Sequence, residues 1–461
     1  MPTSSTIYTL TEKQKKFFAS GKTKEISFRK ESLKKLSTVI QKNEDTICDA
    51  LYKDFKKSKF ESLATEVVLV VKEVQLAIKN IDRWTNPKSV RASLLNFPSK
   101  DFIYSEPYGA VLILAPWNYP YQLVIAPLIG AITAGNTVVI KPSELTPATS
   151  ALLEKMISET FTSDYIAVVQ GDKEVSKKLL KQKWDYIFFT GSVKVGKIIA
   201  EAAAKHLTPV TLELGGKNPC IIDDTAKLTL SARRIVWGKF VNAGQTCIAP
   251  DYLLVHKNIE TDFIKELQKE MIRAYGENPK TSKDFPRIIN TANFERLSAF
   301  LKDGKIIVGG VTDVENLYIA PTLLQNPSLE NAVMQEEIFG PILPIITYST
   351  EADLEKIILR YEKPLAFYVF SENYSFAEKI LKKFSFGGGA TNDVMIQFVN
   401  HRLPFGGVGS SGMGAYHGKY SFETFSHKKS ITRKGTWLDI PFRYAPYKRK
   451  VNLFKKISKW I

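Results

Sequence analysis

The chain is poor in the residues that build metal and disulfide frameworks, with three cysteines and five histidines in 461 residues. Cys48, Cys220 and Cys247 are too few and too widely spaced for a disulfide scaffold or a zinc site. That usage fits a reducing compartment and leaves any of them free to act as a thiol. His206, His256, His401, His417 and His427 do not fall beside carboxylates or cysteines at ligand spacing, so no metal site is expected. Apolar runs stop short of the roughly 18 residues that cross a bilayer as a helix. The N-terminus, MPTSSTIYTLTEKQKK, lacks a basic segment leading into an apolar one. A cytoplasmic protein is expected. Glycine and proline are scattered, and there is no internal repeat, which excludes collagen-like and low-complexity readings.

What is present describes a globular chain with a sizeable core: 44% of residues are hydrophobic and 24% charged. The net charge of +17 would suit a nucleic-acid binder, but the lysines are spread through every segment and no nucleic-acid module is recognisable. A solvated basic surface is the reading, with no nucleic-acid partner.

Residues 8–85 read as helical, with Leu33, Leu36, Val39 and Ile40 at helical spacing, then Val67, Val70, Val71, Val74 and Ile78, and breaks at Gly21 and Asn43. Turn residues then frame a short β-like segment at Asp101 to Tyr104. From residue 110, apolar strands at 110–114, 137–140, 165–169 and 186–189 alternate with helical segments at 123–134, 147–161 and 175–180. Strands buried on both faces and alternating with helices predict a doubly wound parallel sheet. The alternation resumes through strands at 219–222, 252–255 and 366–370. The expected fold is therefore α/β: a doubly wound cofactor domain, a second α/β catalytic domain and a small β bridging element.

Three segments carry candidate chemistry. In Asn242-Ala243-Gly244-Gln245-Thr246-Cys247, a cysteine among small residues can be accessible enough to act as a nucleophile. In Thr211 to Pro219, Glu213 ends a strand ahead of two glycines, where a carboxylate can move and accept protons. In Ala115-Pro116-Trp117-Asn118-Tyr119-Pro120, an asparagine follows a strand's carboxyl end, where open α/β sheets place ligands and an amide can donate to an oxyanion. Each has a plainer reading when alone: a small core cysteine, a strand-end surface glutamate, a turn asparagine between prolines.

The order of motifs changes the balance. Asn118 in PWNYP, Lys141-Pro142-Ser143-Glu144, Phe189-Thr190-Gly191-Ser192, Glu213-Leu214-Gly215-Gly216-Lys217, Gly244-Gln245-Thr246-Cys247, Glu336 to Pro341 and Pro404-Phe405-Gly406-Gly407 follow one another along nearly the whole chain. This series resembles the NAD(P)-dependent aldehyde dehydrogenases. The short N-terminus, the ending Gly412 to Lys419 and Ser421 to His427, and Arg443 to Tyr447 beyond resemble the class 3 branch, which includes fatty aldehyde dehydrogenases.

The resemblance implies oxidation of aldehydes, medium- or long-chain aliphatic or aromatic, to carboxylic acids. Cys247 matches the nucleophile that forms a thiohemiacetal and then a thioester. Asn118 and the Cys247 N–H match the oxyanion hole. Glu213 matches the base that activates the thiol or the hydrolytic water. For the cofactor, Lys141 and Glu144 match the adenosine-ribose positions, Glu337 the nicotinamide-ribose ligand and Phe339 a neighbour of the nicotinamide. Gly191, Ser192 and Gly196 open a helix whose N-terminal amides can face the pyrophosphate. Their spacing is GxxxxG rather than GxGxxG. A carboxylate at Glu144 bonds a free 2′-hydroxyl and repels a 2′-phosphate, so NAD is expected, with NADP possible. The same comparison implies a homodimer and a division into 1–85 with 108–212 (NAD-binding), 86–107 with 418–447 (bridging and oligomerisation), 213–417 (catalytic) and a tail at 448–461.

Two other functions compete with this one. An acylating enzyme would pass the acyl group to coenzyme A, but relatives of that kind often lack the base that Glu213 matches. A catalytically silent binding protein would have no use for Cys247, Glu213 and Asn118 together. The tail, KRKVNLFKKISKWI, sets Leu453, Phe454, Ile457, Trp460 and Ile461 on one helical face opposite lysines. Such a helix can lie on an anionic membrane as a peripheral contact, or dock on the body or a partner subunit.

Overall fold

The computed structural model describes residues 2–93, 96–448 and 450–458. Helices Ser4–Ala19, Ile26–Lys42, Glu44–Phe55 and Val68–Thr85 occupy the N-terminal segment. They break at Gly21 and Asn43 as their residue types suggest, and again at Lys56, whose left-handed φ of 60° ends the third helix. Each buries one stripe: Leu33, Leu36 and Ile40 on one helix meet Val70, Val74 and Ala77 on another in a common core.

Five parallel strands build the first sheet, in the spatial order Val210–Glu213, Tyr186–Thr190, Ala110–Leu114, Thr137–Lys141, Ile166–Val168. The chain runs outward from Ala110–Leu114 in one direction, then crosses to its other side. This is the doubly wound arrangement, with a switch point beside that central strand. Both faces are buried, as the continuous apolar runs require. Val111, Ile113, Val138, Ile140 and Phe188 point into the core shared with helix Gln122–Ala134, which is buried on every side. Ala110, Leu112, Leu114, Val139 and Ile187 point into a second core, which Ile7 and Ile199 help to close.

The second sheet has seven strands, ordered Lys305–Val308, Thr322–Gln325, Ile342–Tyr348, Tyr252–His256, Pro219–Ile222, Ala366–Phe370, Gly388–Thr391. All neighbours are parallel except the first pair. A separate antiparallel sheet joins Lys88–Val90, Ser99–Pro107 and Ser426–Lys434, the last two in register over nine residue pairs. Strand Gly412–Met413 returns to the first sheet, antiparallel to Val210–Glu213.

In the tail, the helix covers Val451–Ile457, shorter than the sequence pattern suggests. Phe454 stacks on Phe442, and the Lys450 ammonium donates to the carbonyls of Pro441 and Tyr444. Arg449, Lys459, Trp460 and Ile461 lie outside the described residues, as do the side chains of Leu453 and Ile457. No helix among the described residues is long and apolar enough to cross a membrane.

Candidate active site

The carboxyl edge of the first sheet faces the amino edge of the second, and their connecting loops meet around Cys247. The approach to the thiol is a left-handed run: Asn242, Ala243 and Gly244 have φ of 53°, 51° and 74°. Only glycine fits the third position, because a β-carbon on Gly244 would overlap the carbonyl oxygen of Gly340. Gln245 is fully buried and locked. Its amide donates to the carbonyls of Asn242 and Arg287, and its oxygen accepts the Ile289 N–H at 3.0 Å. Beyond the thiol, Asn218 donates to the carbonyls of Cys247 (2.7 Å) and Ala249 (3.0 Å) and accepts the Ala366 N–H. The glutamine of GQTC and the asparagine following the double glycine therefore act as clamps on the cysteine loop.

A cavity of about 480 Å³ opens onto Cys247, with Glu213, Thr190, Tyr416 and Phe405 among its walls. Cys220 is fully enclosed and Cys48 is buried away from this cavity. The Cys247 thiol touches cavity space although the surrounding density is that of the interior. Burial pushes its pKa up, and the Glu337 and Glu213 carboxyls push it further. The main chain opposes this, since the N–H groups of Cys247 and Ile248 favour the thiolate.

Glu213 ends strand Val210–Glu213, is 2% exposed, and neither carboxyl oxygen has a partner among the described residues. Burial raises its pKa well above the usual carboxylate range. Such a group holds a proton when the cavity is dry and releases it as water enters, the behaviour of an acid–base catalyst. Thr190, beside it on the next strand, also has an unpartnered hydroxyl oxygen.

Asn118 is buried under the cysteine loop and does not form part of the cavity wall. Its amide nitrogen donates to the Gln245 carbonyl at 3.1 Å, and its own carbonyl accepts from Asn242 at 2.8 Å. One amide hydrogen is thus engaged and the other remains to be offered. Next to it, the Tyr119 hydroxyl shares a 2.7 Å hydrogen bond with Thr246, which precedes the thiol.

Glu337 and Phe339 sit on a loop fixed from below by Lys217. This buried ammonium pairs with Asp251 at 2.5 Å and donates to the carbonyls of Val333 and Glu336. Asp251 accepts the Ile338 N–H, and Arg296 donates to the carbonyls of Glu337 and Ile338. The loop brings the Glu337 carboxyl against Gly215 and the Gly216 N–H, and sets Phe339 edge-on to Trp117 at 5.3 Å. Burial, with Asp251 nearby, raises Glu337 to about 8.

Lys141, Glu144, Gly191, Ser192 and Gly196 lie at the carboxyl edge of the first sheet, outside the cavity wall. Lys141 ends its strand and reaches Glu144 at 2.5 Å. Ser192 caps helix Val193–Ala204, accepting the Val195 N–H. A β-carbon on Gly196 would lie 2.7 Å from Leu214, so glycine allows that helix to close on the sheet. A dinucleotide suits this edge: a switch-point crevice, exposed helix N-terminal amides, and an ammonium–carboxylate pair that can both donate to and accept from ribose hydroxyls.

Comparisons with known proteins converge on one family. The aldehyde dehydrogenase family model matches residues 3–431. This chain belongs to the aldehyde dehydrogenase family. The 4,4'-diaponeurosporen-aldehyde dehydrogenase of Staphylococcus aureus is 49% identical over 96% of this chain and 97% of its own. Aldehyde dehydrogenase family 3 member A2 of Macaca fascicularis is 45% identical over 93% of this chain and 89% of its own. Among solved structures, the substrate-bound state of Staphylococcus aureus AldH is 47% identical, with a TM-score of 0.96 over 99% of this chain and 100% of that one. The family carries out NAD(P)-dependent oxidation of aldehydes, and this aldehyde dehydrogenase is an oxidoreductase of that kind, related to class 3.

Several residues of the site carry no signal in a single sequence. Asp251, Arg296 and Tyr368 support loops from distant segments, and the Lys57–Glu66 pair lies within what reads as an ordinary amphipathic helix. Lys217 and Asn218 stood inside a recognisable motif, but their anchoring contacts are made across the fold.

Proposed function

We propose that Cys247 is the nucleophile, Glu213 the base and Asn118 with the Cys247 N–H the oxyanion donors for oxidation of apolar aldehydes. The observation that carries this is the single cavity that has both Cys247 and the Glu213 carboxyl, unpartnered among the described residues, in its wall. The thiolate attacks the carbonyl carbon, and the oxygen gains charge beside the Cys247 N–H, with the second Asn118 amide hydrogen immediately behind the cysteine loop. Lys141, Glu144, the Gly191–Gly196 turn, Glu337 and Phe339 would hold NAD, which when bound would accept the hydride. Glu213 then takes a proton from the water that cleaves the thioester, releasing the carboxylic acid and restoring the thiol.

Much of the cavity wall is hydrocarbon and aromatic, including Leu69, Leu123, Val236, Trp237 and Phe398, which suits a medium- or long-chain or aromatic aldehyde. The relative named for diaponeurosporen-aldehyde supports the same class. The test is kcat/KM along a series of alkanals with NAD, then NADP, with and without coenzyme A. The reading expects a rise with chain length and no stimulation by coenzyme A.

The domain division belongs to the same proposal: cofactor-binding residues 1–85 and 108–212, catalytic residues 213–417, and a bridging element from 86–107 and 418–447. Among the described residues strand Ser426–Lys434 has a neighbour on one side only, and such an open edge supports homodimer formation. The tail at 448–461 is proposed as a peripheral contact with anionic membranes, supported by its exposed Val451 and Phe454 beside lysines. Vesicle co-sedimentation of the full chain against one ending at Tyr447 tests this. Equal sedimentation would refute it.

A further inference from the structure

One carboxyl on the cavity wall has no part in the chemistry above. Glu61 lies on the short helix Lys59–Ser62, is 8% exposed, and lines the cavity. Its Oε1 accepts the Asn242 N–H at 2.9 Å, and nothing among the described residues donates to its other oxygen. The other acidic groups of the wall are placed differently. Glu270 is paired with Arg233 and Arg273, and Asp284 is exposed.

Among the described residues no cation pairs with Glu61. The buried Lys57 ammonium is held by Glu66 at 2.6 Å and lies over the Tyr119 ring at 4.1 Å. Glu66 is in turn satisfied by the N–H groups of Tyr121 and Gln122. Glu61 thus presents an open hydrogen-bonding position within a largely hydrocarbon wall. A purely apolar chain filling the cavity would strip water from that oxygen and return nothing. A substrate hydroxyl would restore the bond, more strongly to a carboxylate than to a neutral acid.

We propose that Glu61 is a specificity-determining residue that recognises a hydroxyl group on the chain of the aldehyde substrate. This rests on the reading of the Cys247 cavity as the aldehyde site. The charged and titratable groups that face Glu61 are Lys57, Glu66, Asp284, Tyr119 and Tyr275. Burial raises Glu61 to about 7, against the pull of Lys57 and the Asn242 N–H and with support from Glu66 and Asp284. It therefore ionises across neutrality. Preference for a hydroxyl grows as pH rises through that range, while binding of plain alkanals weakens.

A purely structural Glu61, holding the turn before Cys247 through Asn242, would change all substrates alike. The test is kcat/KM for matched alkanals and ω-hydroxyalkanals of increasing length, at about pH 6 and about pH 8.5, on the wild type and Glu61→Gln with saturating NAD. The expected result is one chain length at which the hydroxylated aldehyde is preferred about tenfold at the higher pH. The preference appears in KM and shrinks at the lower pH. Glu61→Gln keeps an acceptor for Asn242, still oxidises alkanals, and loses the pH dependence of the ratio. A wild-type ratio that is flat with length overturns the assignment whether or not the variant folds. A ratio in Glu61→Gln that changes with pH as in the wild type also overturns it. Turnover of neither series by the wild type would instead overturn the active-site reading, and this proposal with it.

Discussion

The Glu337 carboxyl occupies the space that a β-carbon on Gly215 would need. The double glycine after Glu213 thereby lets a residue of the second sheet's loops pack on the end of the first sheet's last parallel strand. It also brings a second carboxyl close enough to Cys247 to influence its ionisation, next in weight after burial itself.

A pH-dependent effect on the thiol follows. Glu337 is raised to about 8, so below that pH it is mostly neutral and adds little field, while above it the carboxylate opposes thiolate formation. Glu337→Gln should leave Cys247 alkylation by iodoacetamide unchanged near pH 6.5 and speed it about threefold or more above pH 8, without cofactor. Superimposable pH profiles would remove Glu337 from the thiol's surroundings.

Glu213→Gln replaces a buried carboxyl with no partner among the described residues by an amide of nearly the same shape, so the fold should be unaffected. If Glu213 serves thioester hydrolysis, a burst of NADH remains and the steady rate falls by about a hundredfold. Equal loss of both phases would move Glu213 to activation of the thiol, and loss of neither would exclude it from catalysis.

Gly244 and Gly276 both have positive φ, 74° and 78°, but different surroundings. A β-carbon at Gly276 meets nothing within 4 Å, whereas at Gly244 it overlaps the backbone of the Glu337 loop. Gly276→Ala, at φ 78° and ψ 176° in a region nearly exclusive to glycine, should cost about 2 kcal/mol of stability and leave activity alone. Gly244→Ala should cost about 3 kcal/mol and most of the activity, because the loop bearing Cys247 must shift. Thermal unfolding with initial rates checks the pair.

His417 is packed among Phe398, Phe405 and Tyr416, and burial lowers its pKa from 6.5 to about 4. The unfolded chain therefore binds a proton that the folded one refuses. Stability is fully present above about pH 6.5 and is lost as pH falls towards 4, by about 3 kcal/mol in the limit. Urea unfolding at stepped pH should show this slope, and His417→Phe should flatten it. An unchanged slope in the variant would assign the acid sensitivity elsewhere.

Much of this was legible in the sequence. Continuous apolar runs such as Ala110–Leu114 and Tyr186–Thr190 announce strands buried on both faces, and the first sheet has them in those places. Of the second sheet, strands Thr322–Gln325 and Ile342–Tyr348 were not among those read from the sequence, and neither were Lys305–Val308 and Gly388–Thr391. Lys305–Val308 is an exposed edge strand, and Gly388–Thr391 is rich in glycine, so neither of these has the pattern of a buried strand. At the site, motif order pointed to Cys247, Glu213 and Asn118, but not to the Asn118–Gln245 bond, which joins residues 127 apart. Contacts of that span depend on the finished fold. Glu61 was hidden for the same reason, since nothing in a helical KFES distinguishes a cavity carboxyl from a solvated one.

The most direct test of the central claim is Cys247→Ala assayed for NADH production from a long-chain alkanal, with cofactor binding measured on the same protein. Turnover should fall by far more than tenfold while NAD binding and the unfolding midpoint stay near wild type, and Cys48→Ala and Cys220→Ala should keep most activity. Retention of more than about a tenth of the wild-type rate, a loss under ~1.4 kcal/mol, would contradict the assignment of Cys247 as the nucleophile.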